Sequence, residues 1–285
     1  MTSPKIVDYM ITARCTLKCP FCYGPEPDAF VDLPPDQVET LLSFFAEKIV
    51  SGINFAGGEP FCYPQFSRIV KTARQLGFWL SLQTNGLEPD KLAPLLQELD
   101  WICLPIDGLT PETSKILRTS RSHFQHIKRC LDLIAPYRIK GLRLKIGTVI
   151  TAHNINEISA IAEFLNDVRP DVWKWYEVRP RGLGAENFQT LRTTQESILK
   201  MEKEVRARYS GINLTVSLTD DTIKAHFIIN PNSEIVLPMR DHYASFGRLM
   251  TPSGKIESEI WCRAVESLDP SSHIENARRT FPNDF

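Results

Sequence analysis

The chain has 285 residues and a mass of 32.5 kDa, with 42% hydrophobic residues, 24% charged residues, and 33 Lys+Arg against 34 Asp+Glu. This is the composition of a globular protein with a large core, and a formal net charge of −1 excludes a general electrostatic attraction to nucleic acid. No apolar run reaches the length of a membrane span and the opening MTSPK lacks an export signal's pattern, so a cytoplasmic protein with no membrane or nucleic-acid partner is expected.

Residues 6–12 (IVDYMIT) are apolar and partly β-branched and stop short of a cysteine cluster, which predicts a first strand and then a cysteine loop. Pro34-Pro35-Asp36 opens a helix to residue 50, with Val38, Leu41, Leu42, Phe45 and Ile49 at helical spacing. Residues 52–55 predict a second strand running into Ala56-Gly57-Gly58-Glu59-Pro60; residues 78–84 a third, ending in Asn85-Gly86; and residues 101–106 a fourth, ending in Asp107-Gly108. Helices are expected at 64–76, 90–99 and 121–134, followed by a strand over 142–150, a helix over 155–168 and a strand over 173–178. Six strand and helix units in alternation mean parallel pairing with crossover helices. The expected class is therefore α/β, a partial (β/α)6 TIM-like barrel over residues 1–210 with a small C-terminal α+β cap over 211–285. The cap is expected to hold strands near 212–218, 225–229 and 234–237 and a final helix near 256–267. Loops at the carboxyl ends of such strands carry chemistry, so the cysteine loop, residues 57–60, Thr84, Asn85, Asp107, Thr151 and Arg179 should gather at one rim.

The seven cysteines lie at 15, 19, 22, 62, 103, 130 and 262, and without an export signal they read as reduced thiols. Cys15-x3-Cys19-x2-Cys22 places three thiolates on one loop, which suits an iron–sulfur cluster whose remaining iron has no protein ligand. Structural zinc is the alternative, but it is closed by four ligands and none stands nearby in sequence. Cys62, Cys103 and Cys130 sit on separate elements as buried thiols, and Cys262 alone builds no auxiliary cluster. The six histidines show no metal-ligand spacing; His226, His242 and Tyr243 lie in the tail, where a hydrogen-atom donor or general acid can be placed.

The motif C-x3-C-x-φ-C with Phe21 at φ, together with Gly57-Gly58-Glu59-Pro60 after the second strand and the six units, resembles the radical S-adenosylmethionine (SAM) superfamily. The resemblance implies a [4Fe-4S] cluster on Cys15, Cys19 and Cys22 whose open iron binds the amino and carboxylate groups of SAM. It implies reductive cleavage of SAM to a 5′-deoxyadenosyl radical that removes a hydrogen atom from substrate, with an electron donor such as flavodoxin or ferredoxin as partner. By the same resemblance Phe21 lies against the adenine, and Gly57, Gly58 and Glu59, with Pro60 ending the motif, receive the methionine ammonium. Thr84, Asn85 and Asp107 contact the ribose or methionine part, a plain turn being the alternative, and Arg118 pairs with the SAM carboxylate, a solvated helix charge being the alternative.

Within that superfamily, Asn54-Phe55-Ala56-Gly57-Gly58-Glu59-Pro60-Phe61, Lys145-Ile146-Gly147-Thr148-Val149-Ile150 and Trp173-Lys174-Trp175-Tyr176-Glu177 are similar to viperin-like enzymes, which dehydrate a nucleoside triphosphate. That likeness implies that Lys145 and Lys174 hold the triphosphate, with Arg118 as a third basic contact. Two positions depart from it: Gly52 replaces a lysine and Asp8 an asparagine, and a carboxylate beside a triphosphate is unfavourable. Arg179 and Arg181 after the sixth strand suit an anionic substrate, with surface ion pairing as the alternative. Four readings stay open: hydrogen abstraction from an unidentified anionic small molecule or peptide; viperin-like nucleotide dehydration; peptide modification without auxiliary clusters; and a non-catalytic protein binding SAM and a cluster, or zinc.

Overall fold

The computed structural model describes residues 3–24, 30–240, 242–282 and 284–285. The first half alternates as expected: β1 Ile6–Thr12, α1 Pro35–Glu47, β2 Gly52–Gly57, α2 Phe66–Gln75, β3 Trp79–Gln83, α3 Pro89–Leu92, β4 Trp101–Pro105, α4 Pro111–Arg118, α5 His123–Arg138, β5 Arg143–Ile150, α6 Ile158–Val168 and β6 Val172–Glu177. Three short-to-long helices follow, α7 Leu183–Glu186, α8 Phe188–Leu191 and α9 Gln195–Arg208, and then β7 Leu214–Ser217, β8 Ile228–Ile229, β9 Glu234–Pro238, β10 Tyr243–Arg248, α10 Ser258–Ser267 and α11 Pro270–Thr280.

The ten strands among the described residues belong to one sheet, in the order β10-β9-β8-β1-β2-β3-β4-β5-β6-β7. Neighbours from β1 to β7 pair in parallel, β8 joins β1 in parallel, and β9 and β10 continue from β8 in antiparallel fashion. The result is a partial α/β barrel. The strand expected at 212–218 is β7, and it extends the parallel run beyond six. β10 and α11 are additional to the elements expected in the tail, as are α4, α7, α8 and α9 in the preceding chain.

Two helix expectations change for local reasons. The segment 90–99 breaks after Leu92 into a 3-10 turn, Ala93–Leu95, because Pro94 lacks the N–H an α-helix interior needs. The first helix ends at Glu47, so Ile49, counted on its apolar face, lies beyond it at φ 58° and is 84% exposed.

Side chains alternate across each strand and divide the molecule into a wall and a lumen. Along β1, Val7, Tyr9 and Ile11 join the main core, whereas Ile6, Asp8 and Met10 face an internal cavity. The amino-terminal end of the barrel is closed by α11. Phe281, just past that helix, packs edge-on against Trp79 and Trp101 with ring centroids 4.7 and 5.3 Å away. His273 of α11 accepts the backbone N–H of Lys5 at its Nε2 (3.1 Å) and donates from Nδ1 to the Ala225 carbonyl (2.9 Å). Burial pushes the His273 pKa down, in keeping with that neutral tautomer. No helix among the described residues is long and apolar enough to cross a membrane.

Candidate active site

A cavity of about 250 Å³ runs from the cysteine loop down the lumen to α11. The three cysteines of the loop border it at the carboxyl ends of the strands. The loop is shaped by a turn in which Cys22 N–H donates to the Cys19 carbonyl (3.0 Å), and Leu17 N–H donates to Cys15 Sγ (3.4 Å). Arg118, at the end of α4, is no solvated helix charge: its side chain is 14% exposed. One N–H donates to Cys19 Sγ (3.7 Å), Nε–H donates to Asp107 Oδ2, and the guanidinium lies 5.0 Å from the Phe21 ring centroid. Asp107 in turn accepts Val149 N–H at its other oxygen (2.7 Å), so it ties α4 and β5 to the cysteine loop rather than serving as a free turn residue. Burial raises the Cys19 thiol pKa against the pull of Arg118, and it pushes Cys15 up to about 11. Cys15 and Cys19 thus hold their protons tightly, and metal binding must displace them.

Gly57 and Gly58 bring β2 against the start of that loop. Gly57 has φ 140°, and a Cβ there would stand 2.4 Å from the Thr12 carbonyl; at Gly58 it would stand 2.3 Å from the Arg14 carbonyl. Only glycine permits this approach, which two hydrogen bonds seal: Gly58 N–H to Thr12 O (2.7 Å) and Glu59 N–H to Arg14 O (2.8 Å). The buried Glu59 carboxyl accepts Thr84 Oγ1–H (2.8 Å), Asn85 N–H (2.7 Å) and Phe61 N–H (3.3 Å). Burial pushes its pKa up to about 7 against those three bonds. Pro60 opens the short 3-10 turn that follows. Asn85 then donates from Nδ2 to Thr16 Oγ1 (3.1 Å), and its carbonyl accepts from His123 Nε2 (2.9 Å). Thr84, Asn85, Gly57 and Gly58 border the cavity; Glu59, Pro60 and Asp107 stand behind its wall. Thr151, expected at the rim, instead bonds Asn154 Oδ1 within its own turn and is not part of the lining.

Lower in the lumen, Lys145 and Lys174 are both buried. Lys145 Nζ lies 4.7 Å from the Phe281 ring centroid, and Lys174 Nζ donates to Thr280 Oγ1 (2.6 Å) and Asn276 Oδ1 (3.2 Å) on α11. Burial, and then the charges of Lys145 and Arg179, hold the Lys174 pKa far below the usual lysine value. Arg179 is buried beside Tyr23, 5.6 Å from its ring centroid, and reaches Ser217 Oγ (3.4 Å). Arg181, expected beside it, donates to the Met239 carbonyl and covers Tyr243 at 4.5 Å, outside the lining.

Sequence reasoning missed Asn54 as a lining residue and mistook Asp8 for a bare charge. Asp8 Oδ1 accepts Asn54 Nδ2–H (2.7 Å), and Oδ2 lies 2.7 Å from His226 Nδ1. Burial alone would raise the Asp8 pKa, but His226 and the Asn54 bond together hold it below the ordinary carboxylate value. Tyr23, Cys103 and Tyr176 also border the cavity. The usable signal was a polar residue inside an otherwise apolar strand, as at Asp8, Asn54, Cys103, Lys145 and Lys174.

The loop fits a cluster better than a single ion. Among the described residues no group of three or more His, Cys, Asp or Glu is close enough to hold one metal ion, as structural zinc would require. A cube of irons spreads its thiolates more widely, and three free thiols of one loop border the cavity, the other thiol of the lining, Cys103, standing apart on β4. Gly24 stands beside them: a Cβ there would lie in ordinary contact with Cys22 Sγ (3.4 Å) and the Gly57 carbonyl (3.6 Å).

Comparison with known proteins agrees with this arrangement. Residues 9–165, more than half the chain, match the family described as the radical SAM superfamily. An S-adenosylmethionine-dependent nucleotide dehydratase of Flammeovirga pacifica is 28% identical over 239 residues, covering 79% of each chain. A PqqA peptide cyclase of Streptomyces rochei is 24% identical over 281 residues, 94% of this chain and 71% of the relative. The crystal structure of Streptococcus suis SuiB bound to precursor peptide SuiA superposes with a TM-score of 0.71 at 15% identity, over 100% of this chain and 68% of SuiB, a likeness of fold.

Proposed function

The chain belongs to the radical SAM superfamily, and from that premise we propose that it takes a hydrogen atom from an anionic small molecule held in the barrel lumen, a nucleotide being the class that its dehydratase relatives favour. It is an enzyme of the radical SAM type, with SAM and a [4Fe-4S] cluster as cofactors. When bound, these supply the 5′-deoxyadenosyl radical that abstracts the hydrogen atom.

The chain's own residues bind, orient and enclose. Cys15, Cys19 and Cys22 hold the cluster, with Arg118 donating to Cys19 and fixing Phe21 for the adenine. Gly57 and Gly58 offer backbone to the methionine end, and Glu59 fixes Thr84 and Asn85 beside it. Lys145, Lys174 and Arg179 receive the substrate. Residues 1–210 act as the catalytic core and 211–285 as a cap that supplies α11 as the lumen floor. A ferredoxin or flavodoxin delivers the electron, in the reducing cytoplasm that suits free thiols.

The observation that carries the reading is the charge of the lumen. Two buried cations, Lys145 and Arg179, border it beside the Lys174 amine, whose pKa burial and those two charges hold down and which is hydrogen-bonded only by neutral groups. Asp8, the carboxylate among the lining residues, is already engaged by His226 and Asn54. Buried charge without a counterion is costly, so such a chamber is completed by an anion. Enclosure by α11 favours a small molecule over a peptide passing through.

The test is 5′-deoxyadenosine formation, measured by mass spectrometry after anaerobic reconstitution with SAM and dithionite, comparing the wild type with Cys19→Ala and with or without CTP, UTP, GTP and ATP. A nucleotide should raise 5′-deoxyadenosine well above the uncoupled background in the wild type only. Failure of all four nucleotides would discard that substrate class, and a response to a peptide would replace it.

A further inference from the structure

We propose that His226, oriented by Asp8, is the general acid of this site and protonates the hydroxyl that leaves the substrate as water. The proposal rests on the nucleotide reading above and extends it to a dehydratase reading, the reaction for which the nucleotide-acting relatives are named. Asp8 and His226 are 218 residues apart in sequence and meet because β8 pairs with β1. The backbone N–H of Asp8 donates to the Phe227 carbonyl (2.9 Å), which fixes the chain immediately after His226 against β1. Asn54 Nδ2–H holds the other Asp8 oxygen at 2.7 Å, so the carboxylate cannot rotate away. Both side chains are mostly buried, 16% and 25% exposed, and both border the cavity shared with the cysteines and Lys174.

A carboxylate on Nδ1 fixes the imidazole so that Nδ1 carries a hydrogen and Nε2 becomes the nitrogen that gains or gives the second proton. Nε2 of His226 makes no hydrogen bond to any described residue. The contrast with His273, which borders the same cavity, is direct: both of its ring nitrogens are used by backbone groups, so it is a structural histidine. Lys174, another proton-bearing group of the lining, is tied to Thr280 and Asn276 on the lumen floor.

Dehydration needs such a group because hydroxide is a poor leaving group. After the substrate has lost a hydrogen atom to the 5′-deoxyadenosyl radical, the neighbouring C–O bond breaks with its electron pair staying on oxygen. The imidazolium gives its Nε2 proton to that oxygen, water departs, and the imidazole is left neutral beside Asp8. The electron-poor carbon framework then takes one electron from a reductant of the ferredoxin or flavodoxin class. The substrate has lost one hydrogen atom and one hydroxide and gained one electron, which is net loss of water.

The experiment uses reconstituted holoenzyme with the four nucleotides and reads dehydrated nucleotide formed per 5′-deoxyadenosine. His226→Gln should lower that ratio about 100-fold, the usual scale for loss of a general acid, and Asp8→Asn by a smaller factor. His226→Asn replaces the first variant if it does not take up a cluster. A second readout needs no turnover: in unreduced, histidine-labelled holoenzyme with SAM, the imidazole NMR signal that is lost in His226→Gln should shift when the nucleotide binds. A wild-type ratio in His226→Gln, or a bound nucleotide that leaves the signal unmoved, would overturn the dyad while leaving the dehydratase reading intact. If no nucleotide raises 5′-deoxyadenosine in the wild type, the dehydratase reading fails first and this proposal falls with it.

Discussion

Glu59→Gln tests whether burial or hydrogen bonding governs the residue that joins the cysteine loop to β3. The carboxyl takes three donors, from Thr84, Asn85 and Phe61, yet its pKa is pushed up to about 7 from an ordinary 4.5. Between those values the folded chain keeps a proton that the unfolded chain has released. Stability therefore falls as pH rises through this window, by about 1.4 kcal/mol per pH unit and about 3 kcal/mol in all, and is level above it. The amide does not titrate, but its NH2 faces at least one of the donors, and a buried donor left unpaired costs about 1–3 kcal/mol. Cluster-free Glu59→Gln should accordingly be less stable than wild type near pH ~5, with the gap closing by pH ~8. At roughly 2–4 °C per kcal/mol, the change is readable by thermal or denaturant unfolding under anaerobic conditions. A gap that widens with pH would refute the reasoning, since it would mean that the three donors outweigh burial and keep the carboxylate ionised.

Gly58→Ala places a methyl group 2.3 Å from the Arg14 carbonyl and 2.5 Å from that of Ala13, both backbone, so a loss of about 1–3 kcal/mol and a lower iron content after reconstitution are expected. Full iron loading would show that the β2 end can move without cost to the cysteine loop. Arg118→Met strands the buried Asp107, which keeps only Val149 N–H, and should destabilise the protein by about 3 kcal/mol; a fall below about 1 kcal/mol in denaturant melts would contradict the pairing. Lys174→Met should act in opposite directions on stability and on function. The wild-type amine has a depressed folded pKa, so below the usual lysine value the unfolded chain holds the extra proton and wild-type stability rises with pH. The variant is then the more stable protein, most clearly at low pH, while its nucleotide-stimulated 5′-deoxyadenosine formation requires more substrate. Equal stabilities at every pH would place the amine in a less costly environment than the lumen.

The barrel was legible because each of the first six strands carries its own short run of apolar residues and several end in a turn signal, as at Asn85-Gly86 and Asp107-Gly108. The cysteine loop and Gly57-Gly58-Glu59 were legible because their chemistry is compressed into consecutive residues. α4 and α11 escaped notice although both carry start signals: Thr110 caps the first with Pro111 at its first position, and Asp269 caps the second with Pro270. Their apolar faces are short, with three buried residues each, so periodicity gave little to read. β8 was legible as the strand expected near 225–229, though it is only two residues long, but its parallel pairing with β1 is a tertiary event that no local pattern announces.

Asp8 shows where residue-by-residue reading misleads most. Taken alone, a carboxylate in place of an asparagine argues against a phosphate-bearing substrate by repulsion. In the folded chain, Oδ2 of that carboxylate meets His226 Nδ1, and the pair brings to the lumen a proton that asparagine could not support. The departure at position 8 and the histidine at 226 are therefore one feature, divided between β1 and the tail, and its meaning appears only where β8 brings the two together. The same holds for Lys174, whose environment is set by Asn276 and Thr280 on a helix more than a hundred residues later. In both cases the barrel strand supplies a titratable group and the C-terminal segment decides what that group can do. Substitutions in 226–280 should consequently alter which substrate is accepted while the cysteine loop and its Arg118–Asp107 support remain in place.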